Sequence, residues 1–140
     1  MSKLNNKGLT LLEVIITITV IITGVLMLTK LFPIAFKVGE SAKQSTVATN
    51  LAQAKLEEMF YLDYDNISIG TIEAKQRMSV DPANPFYNYQ RETITEYIDQ
   101  NLETSVVDTG MKKITVNSYW NSSLLSLEKS VQLTLIISEK

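Results

Sequence analysis

The chain has 140 residues with 13 Lys and Arg against 15 Asp and Glu, a formal charge of −2, and neither cysteine nor histidine. Those absences exclude a disulfide framework, Ser/His and Cys/His nucleophilic pairs and the usual zinc sites, and no glycine-rich phosphate loop occurs. The mildly acidic balance argues against a surface built to hold DNA or anionic lipid, and the length suits one domain plus an anchor.

Residues 1–8 form a short polar stretch containing Lys3 and Lys7. From Leu9 to Thr29 there follow 21 residues whose sole ionisable side chain is Glu13. As a helix this run is roughly 32 Å long at 1.5 Å per residue, the thickness of a bilayer's hydrocarbon core. Lysines before it and a net acidic chain beyond it predict a cytoplasmic N-terminus and an exported remainder. Gly24-Val25-Leu26-Met27 makes a poor secretory cleavage site, so the helix is expected to be retained. Its β-branched residues, Val14 to Ile18 and Val20 to Ile22, are mediocre helix formers in water, but lipid forces the backbone to satisfy itself. The hydroxyls of Thr10, Thr17, Thr19 and Thr23 can bond back to carbonyls or across to other helices. Glu13 is the anomaly, because a carboxylate at the bilayer centre costs roughly 2.5 to 3.5 kcal/mol and calls for a partner.

Lys7-Gly8-Leu9-Thr10-Leu11-Leu12-Glu13-Val14 resembles the class III leader of type IV pilins and pseudopilins. The resemblance implies cleavage between Gly8 and Leu9 by the prepilin peptidase, a membrane aspartyl protease, and N-methylation of Leu9. The family most often carries Phe where this chain has Leu9. Glu13 stands at the family's glutamate, and with Thr10 it would set the axial register of subunits in a helical filament. The partners so implied are the peptidase, other pilin or pseudopilin subunits, the inner-membrane assembly platform and the lipid bilayer, with no cofactor and no catalytic or metal-ligating residue. The location implied is the bacterial inner membrane, then a pilus or a type II secretion or competence pseudopilus. Removal of residues 1–8 leaves 11 basic side chains against 15 acidic ones.

Past the apolar run, Pro33 lacks the amide hydrogen owed to the residue four back, which predicts a kink or a loosened turn. Gly39 adds a second weak point. Residues 34–60 read as a continuing amphipathic helix, with Ala48, Leu51, Ala52, Leu56, Met59 and Phe60 recurring at spacings of three and four. Asn50 to Met59 resembles the corresponding segment of minor pilins and minor pseudopilins. Tyr61 to Gly70 reads as a loop, and Asp81-Pro82-Ala83-Asn84-Pro85 as another. Strand patterns follow at Tyr87 to Ile98, at Lys113 to Trp120 with Ile114, Val116 and Trp120 on one face, and at Val131 to Ile137. The residues predict an α+β chain organised as leader 1–8, membrane helix 9–32 and exported head 33–140. A three- or four-stranded antiparallel sheet over about 75–138 packs on helix 34–60. The pilin resemblance implies the same architecture.

Three weaker signals remain. Asp63 and Asp65 could bind calcium, although their spacing matches no defined calcium loop and solvated acids explain them. Phe86, Tyr87 and Tyr89 suit either a subunit contact or packing at the core's rim. Asn66-Ile67-Ser68 and Asn121-Ser122-Ser123 match a glycosylation sequon, a pattern common by chance. Two function classes are compatible with the whole: a structural subunit of a pilus or pseudopilus, of the minor kind, or a single-pass anchored β-domain acting as a monomeric binding module.

Overall fold

A computed structural model describes residues 10–122 and 127–139. The chain divides into two compact units, Met1–Val38 and Gly39–Lys140, and each is described by itself. One α-helix, α1 (Leu11–Phe60), contributes to both, with Pro33 inside it. In the first unit every described residue of α1 is exposed, and the helix is long and apolar enough to cross a membrane. A surface apolar on all sides is what a helix presents to lipid or to copies of itself.

The second unit is α+β. The remainder of α1 lies on an antiparallel sheet of β1 (Gly70–Arg77), β2 (Tyr89–Ile98), β3 (Thr104–Ser105), β4 (Met111–Asn121) and β5 (Glu128–Ser138). The order is β1-β2-β4-β5, with β3 pairing the end of β2. Helix residues Ala52 and Met59 meet Ile67, Ile114 and Val116, and Leu56, Leu133, Leu135 and Ile137 pack around them. A second cluster joins Ala48 to Tyr89 and Trp120. Ala48 and Ala52, four apart, put the smallest side chains where the helix meets the sheet, letting the two backbones approach closely.

The β4 alternation holds: Lys112, Ile114, Val116, Ser118 and Trp120 are buried and the intervening residues are not. In β5 Val131, Leu133, Leu135 and Ile137 take the core face. The sheet begins at Gly70 rather than near residue 75. β1 reads GTIEAKQR, lacks an alternating apolar pattern and is largely exposed, so it offers no periodic signal. Tyr64–Asn66 within the expected loop forms a 3₁₀ turn. Phe60, placed on the apolar face by its spacing, is instead exposed and meets Tyr61 edge to face at 5.9 Å, one residue off the buried stripe of Ala48, Ala52 and Met59 at the helix's last position.

Candidate functional site

The apolar segment of α1 starts from a side-chain cap. Thr10 precedes the first helical residue, and its hydroxyl accepts the Glu13 N–H at 3.2 Å while its carbonyl accepts the Val14 N–H. Thr10-Leu11-Leu12-Glu13 thus has the spacing of a capping box, which relieves one of the unpaired amides at a helix start. Glu13 lies in the first turn, where the helix dipole favours an anion. Among the described residues no ion pair involves Glu13. Gly8 and Leu9, the expected cleavage and methylation positions, lie outside the described residues. Thr17, Thr19 and Thr23 donate to the carbonyls of Glu13, Ile15 and Thr19 at 2.7 to 2.8 Å, leaving their methyl groups on the apolar surface. Helix α1 is unbroken through Pro33, and Thr29 bonds back to the Leu26 carbonyl.

The second unit holds two polar clusters that periodicity alone does not announce. Arg91 on β2 grips Glu73 on β1 with both arms, Nε to Oε2 at 2.9 Å and Nη2 to Oε1 at 3.2 Å. Its remaining arm donates to the Leu51 carbonyl of α1 at 3.3 Å, and Thr93 donates to the same carboxylate. The two side chains are only 14 % and 11 % exposed. Burial pushes the Glu73 carboxyl up, but hydrogen bonds from Arg91, Gln76 and Thr93 more than offset it, so the group titrates below the ordinary glutamate value. The signal for this pair was the parity of Arg91, which matches Thr93 and Thr95 on the buried face.

Lys112 is the other case. It is 4 % exposed, and its ammonium donates to the carbonyls of Tyr64 at 2.7 Å and Ile67 at 3.0 Å while lying 3.9 Å from the centre of the Tyr64 ring. Lys112 therefore fastens the 3₁₀ turn to the sheet. Burial and a hydrogen bond to Asp108 push the Tyr64 hydroxyl well above its usual range, and that bond with the Gly110 N–H holds Asp108 low.

Of the remaining expectations, Asp63 and Asp65 are both exposed, and Asp65 sits in the 3₁₀ turn. Tyr89 belongs to the core, whereas Phe86 is exposed and Tyr87 stacks under Arg77 at 4.3 Å. Phe86 and Tyr89, with Glu40, Lys43, Val47 and Trp120, border an open cavity of about 190 Å³. Burial and the nearby Glu40 charge raise the Tyr89 hydroxyl. Asn66 and Asn121 are exposed; Ser123 lies outside the described residues. The arrangement with the clearest chemistry is therefore the capped apolar segment: a lipid-compatible surface with one carboxylate a turn from its start. No family model, no curated protein and no solved structure matches this chain.

Proposed function

We propose that the chain is the precursor of a structural subunit of a type IV pilus or of a type II secretion or competence pseudopilus, and a minor rather than a major one. Prepilin peptidase cuts it between Gly8 and Leu9 at the cytoplasmic face of the bacterial inner membrane, and Leu9 is methylated. The subunit waits in the membrane and then enters a fibre whose core is the bundled apolar helices. The observation that carries this reading is Glu13, a lone carboxylate in the first turn of an apolar helix exposed on every side.

The physical logic is charge matching in a dry environment. Cleavage leaves an amine at Leu9, four residues before Glu13 in the first turn of α1. The amine of an incoming subunit meets the Glu13 carboxylate of its neighbour. Two unit charges about 4 Å apart attract by roughly 4 kcal/mol at an effective dielectric of 20, enough to offset the burial of the acid and to fix the stagger. Thr10 closes the first turn within its own subunit, leaving the carboxylate available to the neighbour. The pair specifies register more than stability.

The test incubates membranes holding the precursor with and without prepilin peptidase and follows the intact mass. Loss of residues 1–8, abolished by Gly8→Ala, supports the reading; a mass unchanged by the peptidase means an anchored domain that works uncut. Glu13→Ala is expected to be cut normally yet to be absent from sheared fibres, and normal incorporation would remove the account of the register.

A further inference from the structure

The two edges of the sheet are built differently. β1 pairs with β2 through two register shifts, between Thr71 and Glu73 and between Glu73 and Gln76, and carries Glu73, Lys75 and Arg77. Bulges and charges of this kind stop an edge from recruiting another strand. β5 has no bulge, and its only charges, Glu128 and Lys129, stand at its first two positions. It pairs with β4 in unbroken register over 11 residues, and from Ser130 to Ser138 it has no charge, proline or glycine.

The flanking bonds fix which backbone groups face outward. Glu139 N–H donates to the Gly110 carbonyl and Ser122 N–H to the Leu127 carbonyl, both at 2.9 Å, and both pairs continue the β4–β5 register. In an antiparallel ladder directly bonded pairs alternate with unbonded ones. Residues 129, 131, 133, 135 and 137 therefore bond to β4, and Ser130, Gln132, Thr134, Ile136 and Ser138 aim their N–H and C=O groups away from the sheet. Among the described residues no strand meets them. The inward row agrees: Ile114 and Val116 on β4 are fully buried, but Val131, Leu133, Leu135 and Ile137 beside them are only half covered.

We propose that β5 pairs with β5 of a second copy, antiparallel about a twofold axis at Thr134. The edge is complementary to itself in that register. Val131 falls opposite Ile137, Leu133 opposite Leu135, and Lys129 at one end opposite Glu139 at the other, twice by symmetry. The free groups also match, Thr134 with Thr134, Gln132 with Ile136 and Ser130 with Ser138, so every outward N–H finds a carbonyl. Such an interface is isologous and closes as a pair. A twofold axis normal to the sheet sets the helix segments packed on the two sheets antiparallel. The pairing is thus a property of the head, separate from bundling of the apolar segments, and stands or falls on its own measurement.

Because the chain lacks cysteine, single cysteines report the register directly in the full-length protein in detergent, where two copies need not share one bilayer orientation. Under mild oxidation Thr134→Cys is expected to give a disulfide-linked dimer, its Cα lying about 5.5 Å from its counterpart in a bonded pair. Ser130→Cys is expected to give none, since eight residues of offset separate the two copies by about 27 Å. Lys129→Glu should lower the Thr134→Cys yield about threefold, and adding Glu139→Lys should restore it. Ile136→Pro removes an outward N–H without touching the β4 ladder and should abolish the cross-link while leaving the thermal midpoint nearly unchanged. Equal cross-linking at both positions, no dimer at 134, or a 134 adduct with a different polypeptide would overturn the proposal.

Discussion

Helix α1 passes through two environments, and the contrast between its halves explains most of the molecule. From Leu11 to Val38 every residue is exposed and most are apolar, so no buried stripe distinguishes one face from another. From Gly39 to Phe60 one narrow stripe is buried, Ala48, Ala52 and Met59, and most of the rest is polar or half-covered, with Phe60 exposed at the end. The second unit also inverts the first: where the first half of α1 shows apolar side chains outward, the head carries Arg91, Glu73, Thr93 and Lys112 beneath its helix or under its loops. A fold that buries ions depends on pairing every one of them, while a helix exposed on all sides depends on its surroundings.

The largest effect should come from unpairing the buried ions. Arg91→Met leaves the Glu73 carboxylate without its bidentate partner under the helix and removes the bond to the Leu51 carbonyl. Loss of one member of a buried pair costs about 3 kcal/mol, far more than the pair's own net contribution. Urea denaturation at pH 7 should show it as a lower midpoint. The double variant Arg91→Met with Glu73→Leu, which strands no charge, should recover most of the loss; equal instability of the two would mean that Arg91 acts by packing alone.

A smaller and more local comparison sets bulk against bulk along the same helix. Ala52 is fully buried against Ile114 and Val116, so Ala52→Leu overpacks the interface and should cost about 2 kcal/mol in the head. At Gly24 a new Cβ meets no heavy atom within 4 Å, so Gly24→Leu should leave the head's thermal midpoint unchanged. If both variants destabilise the head alike, the division of the helix into a packed and an unpacked part is wrong.

Legibility in the sequence follows the same divide. The apolar run, the α+β class and the faces of β4 and β5 were readable because each is a pattern, period 2 for the strands and continuous apolarity for the first half of α1. β1 was not, because an exposed edge strand with two bulges has no reason to alternate. Lys112 is hard to read because lysine is normally a surface residue, although its parity with Ile114 and Val116 puts it on the buried face. Arg91 and Glu73 lie 18 positions apart, and only the β1–β2 register brings them together. The motif at Gly8 and Glu13 belongs to a different category, since under the proposed function it concerns processing and partners rather than packing.

The smallest effect is a matter of sign. Glu73 titrates below its unfolded value in the folded head, so the stability it supplies is present above about pH 4.5, the ordinary glutamate value, and fades as pH falls through the lowered folded value. The difference in unfolding free energy between the native chain and Glu73→Gln should therefore be flat near neutrality and shrink only in acid. Arg91→Met should reverse the slope. With the guanidinium gone, burial dominates and raises the carboxyl, so the folded form prefers the proton and that variant should gain stability on acidification, as pH falls through the raised value. Opposite slopes would locate the ion pair as the origin of the depressed value; parallel slopes would assign it to Gln76 and Thr93 instead.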